Sequence, residues 1–205
     1  AVLMEKNIDK FLAELASSAP TPGGGGAAAL CGALGIALGN MVGSLTLGKK
    51  KYADVQEDIT ALNSRAEALR ADFAALIDAD AEAFAPLSRA YSIPKDAPGR
   101  DEIMESALLR AAEPPLEIMR KCAEALDVIA DYAAKGSALA ISDAGCAAAL
   151  CGAALQAAAL NVRINTKSMK NRVAAEEIDA ETDELLQKYS TIAQEIYKRV
   201  YGRLS

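Results

Sequence analysis

The sequence contains no histidine and no tryptophan, and aromatic residues make up only 4% of it. The missing histidine excludes Ser-His-Asp and Cys-His catalysis and histidine-ligated zinc together. Any acid–base chemistry must be run by carboxylate, lysine, tyrosine, cysteine or bound water. β-Branched residues are also sparse, and no stretch alternates convincingly as a strand. In their place stand 45 alanines among 205 residues, a composition that favours closely packed helices over a sheet. The expected class is all-α, one domain over residues 1–205.

Basic charge falls short as well. Twenty-two Lys and Arg face 28 Asp and Glu, for a net charge of −6 and a pI near 4.9. That balance argues against a nucleic-acid partner. The four cysteines, Cys31, Cys122, Cys146 and Cys151, form no CxxC pair. All lie in apolar helical contexts and read as small buried hydrophobes in a reducing compartment. Glu5 and Lys6 interrupt the start of the chain, so no signal peptide is expected and the cytoplasm is the expected location.

Ile8, Phe11, Leu12 and Leu15 fall at helical spacing and predict a short amphipathic helix. A loop, Ser17 to Pro22, runs into four glycines, Gly23 to Gly26, and then into an apolar run from Ala27 to about Leu47. That run reaches membrane-spanning length. Asn40, Ser44 and Thr46 interrupt it, no aromatic belt flanks it, and Gly35, Gly39 and Gly43 share one face. A fully buried central helix with no membrane partner is the expectation. A long helix follows from about Ala53 to Ala85 or slightly beyond, ended or kinked by Pro86. Its apolar seam is Val55, Ile59, Leu62, Ala66, Leu69, Phe73, Leu76, then Asp80, then Ala83 and Leu87. Another helix is expected from about Asp101 to Ala112, broken or restarted at Pro114-Pro115. The next face is Leu116, Met119, Ala123, Leu126 and Ile129, stopping at Gly136. Ser142-Asp143 supplies an N-cap for a second alanine-rich helix, Ala144 to about Ile164. A last helix, Val173 to Leu204, carries Ile178, Leu185, Tyr189, Ile192, Ile196 and Val200 on one stripe.

The heptapeptide from Ala27 to Ala33 recurs unchanged as Ala147 to Ala153. Two such small-residue helices can pack backbone to backbone. If they run parallel, their entry loops lie side by side.

Asp80 stands out because it occupies a core phase between Leu76 and Ala83. It is either a functional carboxylate or a structural one paired across helices. Burial raises a carboxylate's pKa, the tuning a proton carrier needs at neutral pH. Asp78 sits on a different face and is expected to be solvated. The glycine turn into a helix exposes N–H groups able to cradle an anion or carbonyl, or else simply permits tight packing. It is neither a Walker loop nor a dinucleotide fingerprint. Lys49, Lys50 and Lys51 follow Gly48 at a helix C-terminus, where a solvated cationic run is also favoured. Asn161 and Asn165, four apart, present two amides on one face, to a ring edge or to a neighbouring helix.

Taken in order, five segments resemble the cyclodeaminase/cyclohydrolase family of folate one-carbon enzymes. They are Ser18 to Gly26, Gly48 to Tyr52, Asp78 to Phe84, Ser142-Asp143, and Asn161 to Asn165, and the likeness spans nearly the whole chain. The resemblance implies a bundle of long antiparallel helices with two buried Ala/Gly-rich helices that dimerises. It implies a folate substrate held near the glycine loop, with no metal and no redox cofactor. It assigns Asp80, Lys50 and Asp143 to catalysis. Thr21, Gly23, Gly24, Gly25, Gly26, Asn161 and Asn165 are assigned to substrate binding. No transferase half is present in the sequence, which tips the expected activity toward methenyltetrahydrofolate cyclohydrolase over formimidoyltetrahydrofolate cyclodeaminase. A helical interaction module without catalysis is the reading of another class.

Overall fold

The structure, a computed structural model, describes residues 8–205. Within them lie α1 (Ile8–Leu15), α2 (Gly24–Ser44), α3 (Gln56–Tyr91), α4 (Arg100–Lys135), α5 (Ile141–Thr166) and α6 (Arg172–Arg203). Short 3₁₀ turns, Lys50–Val55 and Ala138–Ala140, precede α3 and α5. No strand occurs among the described residues, and the class is all-α.

Each long helix runs antiparallel to the next. Gly25 of α2 abuts Asp80 late in α3, whereas Gly43 abuts Asn63 early in it. Lys135 and Lys121 of α4 pair with Asp58 and Asp72 of α3. Asn165 at the end of α5 reaches Ala111 in the first third of α4. Arg163 pairs with Asp179 and Asp183 near the start of α6, and Gly145 meets Val200 near its end. α2 and α5 form the middle of the molecule, with α4 across one side of both, α3 beside α2 and α6 beside α5.

The two helices sharing the heptapeptide are antiparallel, not parallel. Gly24 faces Asn161, Gly35 faces Cys151, and Lys49 reaches Ser137. Their entry loops therefore lie at opposite ends. This separation governs which residues can share a site.

The α3 seam packs as its spacing predicts: Ile59, Leu62, Ala66, Leu69, Phe73, Leu76, Ala83 and Leu87 are all buried. The helix also passes through Pro86 and continues to Tyr91. Similarly, α4 does not break at Pro114-Pro115 but runs unbroken across both prolines. An interior proline costs about 3 kcal/mol in helix propensity, and burial offsets that cost here. Both rings are buried, flanked by buried Ala111, Ala112 and Leu116.

Three other expectations change. α5 begins at Ile141, with Ala140 at the N-cap position and no side-chain cap, so Ser142 and Asp143 lie inside its first turn. Asp143 there still complements the helix dipole. Cys122 and Cys151 are buried, but Cys31 is only half-buried and Cys146 is exposed. Burial pushes the Cys31, Cys122 and Cys151 thiols up from their ordinary value. α1 buries Phe11 but leaves Ile8 and Leu12 mostly exposed.

Nor is α2 wholly buried. Both α2 and α5 are long and apolar enough to cross a membrane, and over half of each apolar window is buried against other helices, the pattern of core helices. On the side away from α4, Leu34 and Met41 of α2 and Leu160 and Ile164 of α5 are exposed, at 51%, 40%, 72% and 63%.

Candidate active site

Where α2 starts, α3 nears its end and α5 finishes, a cavity of about 240 Å³ opens. It is lined by Thr21, Gly23, Gly24, Gly25, Asp80, Asn161 and Asn165. Phe84, Ala111 and Pro115 complete its wall, together with Pro20 and Ile164. The Thr21–Pro22 peptide bond beside it is cis.

Asp80 reaches the cavity because it continues the buried α3 seam as that seam meets the glycine turn. Its Oδ2 accepts the Gly26 N–H at 3.1 Å. Gly26 is the third residue of α2, and the preceding N-cap, Gly23, offers no side chain. Asp80 thus caps α2 from another helix, taking one of the four N–H groups a helix start leaves unsatisfied. Its Oδ1 has no hydrogen-bond partner among the described residues. Burial raises the Asp80 pKa above its ordinary value, and the Gly26 N–H partly opposes that rise.

The glycines are dictated by close approach. A Cβ at Gly25 would overlap the Asp80 carboxylate, and one at Gly24 would lie 2.9 Å from both Nδ2 and Oδ1 of Asn161. The carboxylate and the amide therefore lie directly on the α2 backbone.

The two asparagines are fixed by carbonyls. Asn161 Nδ2 donates to Ala157 O at 2.8 Å. Asn165 Nδ2 donates to Asn161 O at 2.9 Å and to Ala111 O at 3.2 Å. A carbonyl can only accept, so the amide nitrogen must face it in each case. Both Oδ1 atoms are left as acceptors without a partner among the described residues. The site thus combines acceptors on Asp80, Asn161 and Asn165 with the first-turn N–H groups of Gly24 and Gly25, a set suited to a nitrogen-rich heterocycle bearing positive charge.

Lys50 and Asp143 do not join this cluster within the chain. Lys50 lies beyond the C-terminal end of α2 and Asp143 in the first turn of α5. Because α2 and α5 are antiparallel, both lie at the far end, roughly 30 Å away at 1.5 Å per residue. There Lys49 Nζ donates to Ser137 Oγ at 3.1 Å. The Tyr52 phenol oxygen accepts the Ala138 N–H at 2.9 Å, a bond that holds its pKa below the ordinary value. Asp78 is half-buried, not fully solvated. Phe84 belongs to the Asp78–Phe84 segment, whereas Ala111 and Pro115 were hidden by the expectation of a break at the prolines. Among the described residues no three Cys, Asp or Glu side chains are grouped to hold a metal ion.

A larger groove, about 490 Å³, lies between α4 and α6. Its cation, Arg120, is already held by Glu181 and Glu117. It contains no buried carboxylate.

Comparison with known proteins identifies relatives over nearly the whole chain. The chain is 41% identical over 204 residues to a methenyltetrahydrofolate cyclohydrolase of Methylorubrum extorquens, covering 98% of each. It is 31% identical over 195 residues to the formimidoyltransferase-cyclodeaminase of Mus musculus, covering 93% of this chain and 36% of that protein. The crystal structure of a formiminotetrahydrofolate cyclodeaminase from Thermotoga maritima superposes with a TM-score of 0.83 at 29% identity, covering 97% of this chain and 96% of that one. The model of the formiminotransferase-cyclodeaminase family matches residues 7–184, and the chain belongs to that family.

Proposed function

We propose that the protein is a methenyltetrahydrofolate cyclohydrolase, converting 5,10-methenyltetrahydrofolate and water to 10-formyltetrahydrofolate. The observation that carries this reading is the Asp80 carboxylate: half-buried in the cavity lining, one oxygen capping α2, the other without a hydrogen-bond partner among the described residues. The full-length likeness to the Methylorubrum extorquens enzyme supports it.

The methenyl group is an amidinium-like cation shared by N5 and N10. A carboxylate in a poorly solvated cleft attracts that cation more strongly than it would in water. Water then adds to the methenyl carbon and passes a proton to Asp80. The C–N5 bond of the resulting carbinol breaks, its hydroxyl becomes the formyl oxygen, and N5 takes up a proton. One proton leaves to solvent overall, which balances the loss of the cationic charge. Gly24 and Gly25 offer N–H groups beside Thr21, while Asn161 and Asn165 accept from the pterin N–H edge. At 240 Å³ the cavity holds a bicyclic ring and not the whole folate, so the benzoyl-glutamate tail extends outside it. This scheme needs no metal and no redox cofactor.

The second reading is the cyclodeaminase, which closes formimino-tetrahydrofolate to the same methenyl species with loss of ammonia. The Thermotoga maritima likeness favours it, since that chain has similar length and carries that name. Two assays separate the readings: loss of methenyltetrahydrofolate absorbance, and ammonia release from formimino-tetrahydrofolate. Rapid methenyl loss without ammonia release is expected. Ammonia release alone selects the cyclodeaminase, and neither activity rejects both.

We further propose a cytoplasmic homodimer formed through the open face of α2 and α5. Exposed Leu34, Met41, Leu160 and Ile164 support it. A two-fold axis lying in that interface and perpendicular to α2 sets the two α2 helices antiparallel. That arrangement lays one subunit's Lys50 and Asp143 end over the other's glycine loop. It is the way those two residues could serve a site around Asp80.

A further inference from the structure

We infer that Pro115 is a positioning residue for substrate binding, acting through Asn165; the substrate part of this inference rests on the folate reading above. In a regular helix the Ala111 carbonyl would accept from the N–H four residues on, or three residues on in a tight turn. Those positions are Pro115 and Pro114, and neither has an N–H. The Ala111 carbonyl, in a buried stretch of α4, is left to another donor. That donor is Asn165 Nδ2, at 3.2 Å, arriving from α5. The same nitrogen donates to Asn161 O at 2.9 Å, so both amide protons are committed to backbone carbonyls. Asn165 cannot flip without setting its own oxygen against two carbonyls.

The consequence is a fixed acceptor. Asn165 lines the cavity that contains Asp80, with its Nδ2 tied back to two carbonyls and its Oδ1 left over, and Pro115 itself forms part of the wall. A proline that costs helix stability is thereby used to keep a binding group oriented. The adjacent proline offers an internal control. In α-helical geometry the carbonyl silenced by Pro114 is that of Arg110, an exposed residue that does not itself line the cavity.

Pro115→Ala restores an N–H that competes for the Ala111 carbonyl. The expected result is KM for the folate substrate raised roughly 3- to 10-fold, the worth of one neutral hydrogen bond, with kcat unchanged. The melting temperature should stay equal or rise, because alanine is the better helix former. Pro114→Ala should leave KM unchanged. In an Asn165→Ala background, Pro115→Ala should have no further effect, a non-additivity that a merely structural role would not produce. Independently of turnover, NMR exchange of the Asn165 side-chain amide protons should be slow in the wild type and in Pro114→Ala, and faster in Pro115→Ala. Unchanged amide exchange in Pro115→Ala, or additive effects of the two substitutions on KM, would overturn the inference. A wild type that turns over no folate would reject the proposed activity instead, with the exchange measurement still deciding whether Pro115 positions Asn165.

Discussion

In the proposed mechanism Asp80 serves two functions with one carboxylate, capping α2 and carrying a proton, and they can be separated by substitution. An asparagine in its place could still accept the Gly26 N–H, so Asp80→Asn should fold while losing the proton carrier. Turnover should fall by roughly 10²–10⁴-fold, the usual worth of general acid–base catalysis. The sign of the stability effect follows from the raised pKa. A carboxyl whose folded pKa exceeds its unfolded value stabilises the fold below the unfolded pKa and loses that contribution as pH rises through the folded one. Ionised Asp80 is therefore a cost at neutral pH. Asp80→Asn should melt higher than wild type at pH 7, and this gain should vanish in acid below the ordinary aspartate range, as read by thermal denaturation. Gly25 is the other decisive residue. Gly25→Ala places a methyl against the Asp80 carboxylate and should destabilise by about 1–3 kcal/mol, as overpacking does. Folate-induced thermal stabilisation should disappear with it, which a ligand titration in the same assay checks.

At the scale of elements, α3 was legible because its apolar residues alternate steps of four and three along most of its length, and only Asp80 violated the pattern. The glycine loop was legible because no other residue could stand where Gly24 and Gly25 touch Asn161 and Asp80. What the sequence hid was tertiary. Pro114-Pro115 reads locally as a break, yet burial of both rings and a donor from α5 keep α4 whole. Ser142-Asp143 reads as a cap, yet the 3₁₀ turn Ala138–Ala140 brings the helix start forward to Ile141. The repeated heptapeptide shows that α2 and α5 can pack closely, but not in which sense. That sense decides which end of α5 meets the glycine loop. α6 has a conventional start, with the Asn171 side chain accepting the Ala174 N–H at 3.2 Å. Asn171→Ala should cost about 1 kcal/mol in denaturant unfolding without altering turnover.

For the whole molecule, the antiparallel α2–α5 pair leaves two groups of candidate site residues a helix length apart: Asp80 with the asparagines at one end, Lys50 and Asp143 at the other. The proposed dimer brings them together across subunits. Mixing inactive Asp80→Asn with inactive Lys50→Ala should then regain up to about a quarter of wild-type activity, from the one intact site in each mixed dimer. Two clusters working separately in each chain would regain none. All of this rests on Asp80 carrying the proton, and one measurement tests that most directly. The rate of 5,10-methenyltetrahydrofolate loss is followed against pH for wild type and Asp80→Asn, above the uncatalysed rate in the same buffers. The mechanism predicts a wild-type rate that falls on the acid side at a pH above the ordinary aspartate range, because burial raises the Asp80 pKa, and an Asp80→Asn rate close to buffer at every pH. An Asp80→Asn protein as fast as wild type would contradict it.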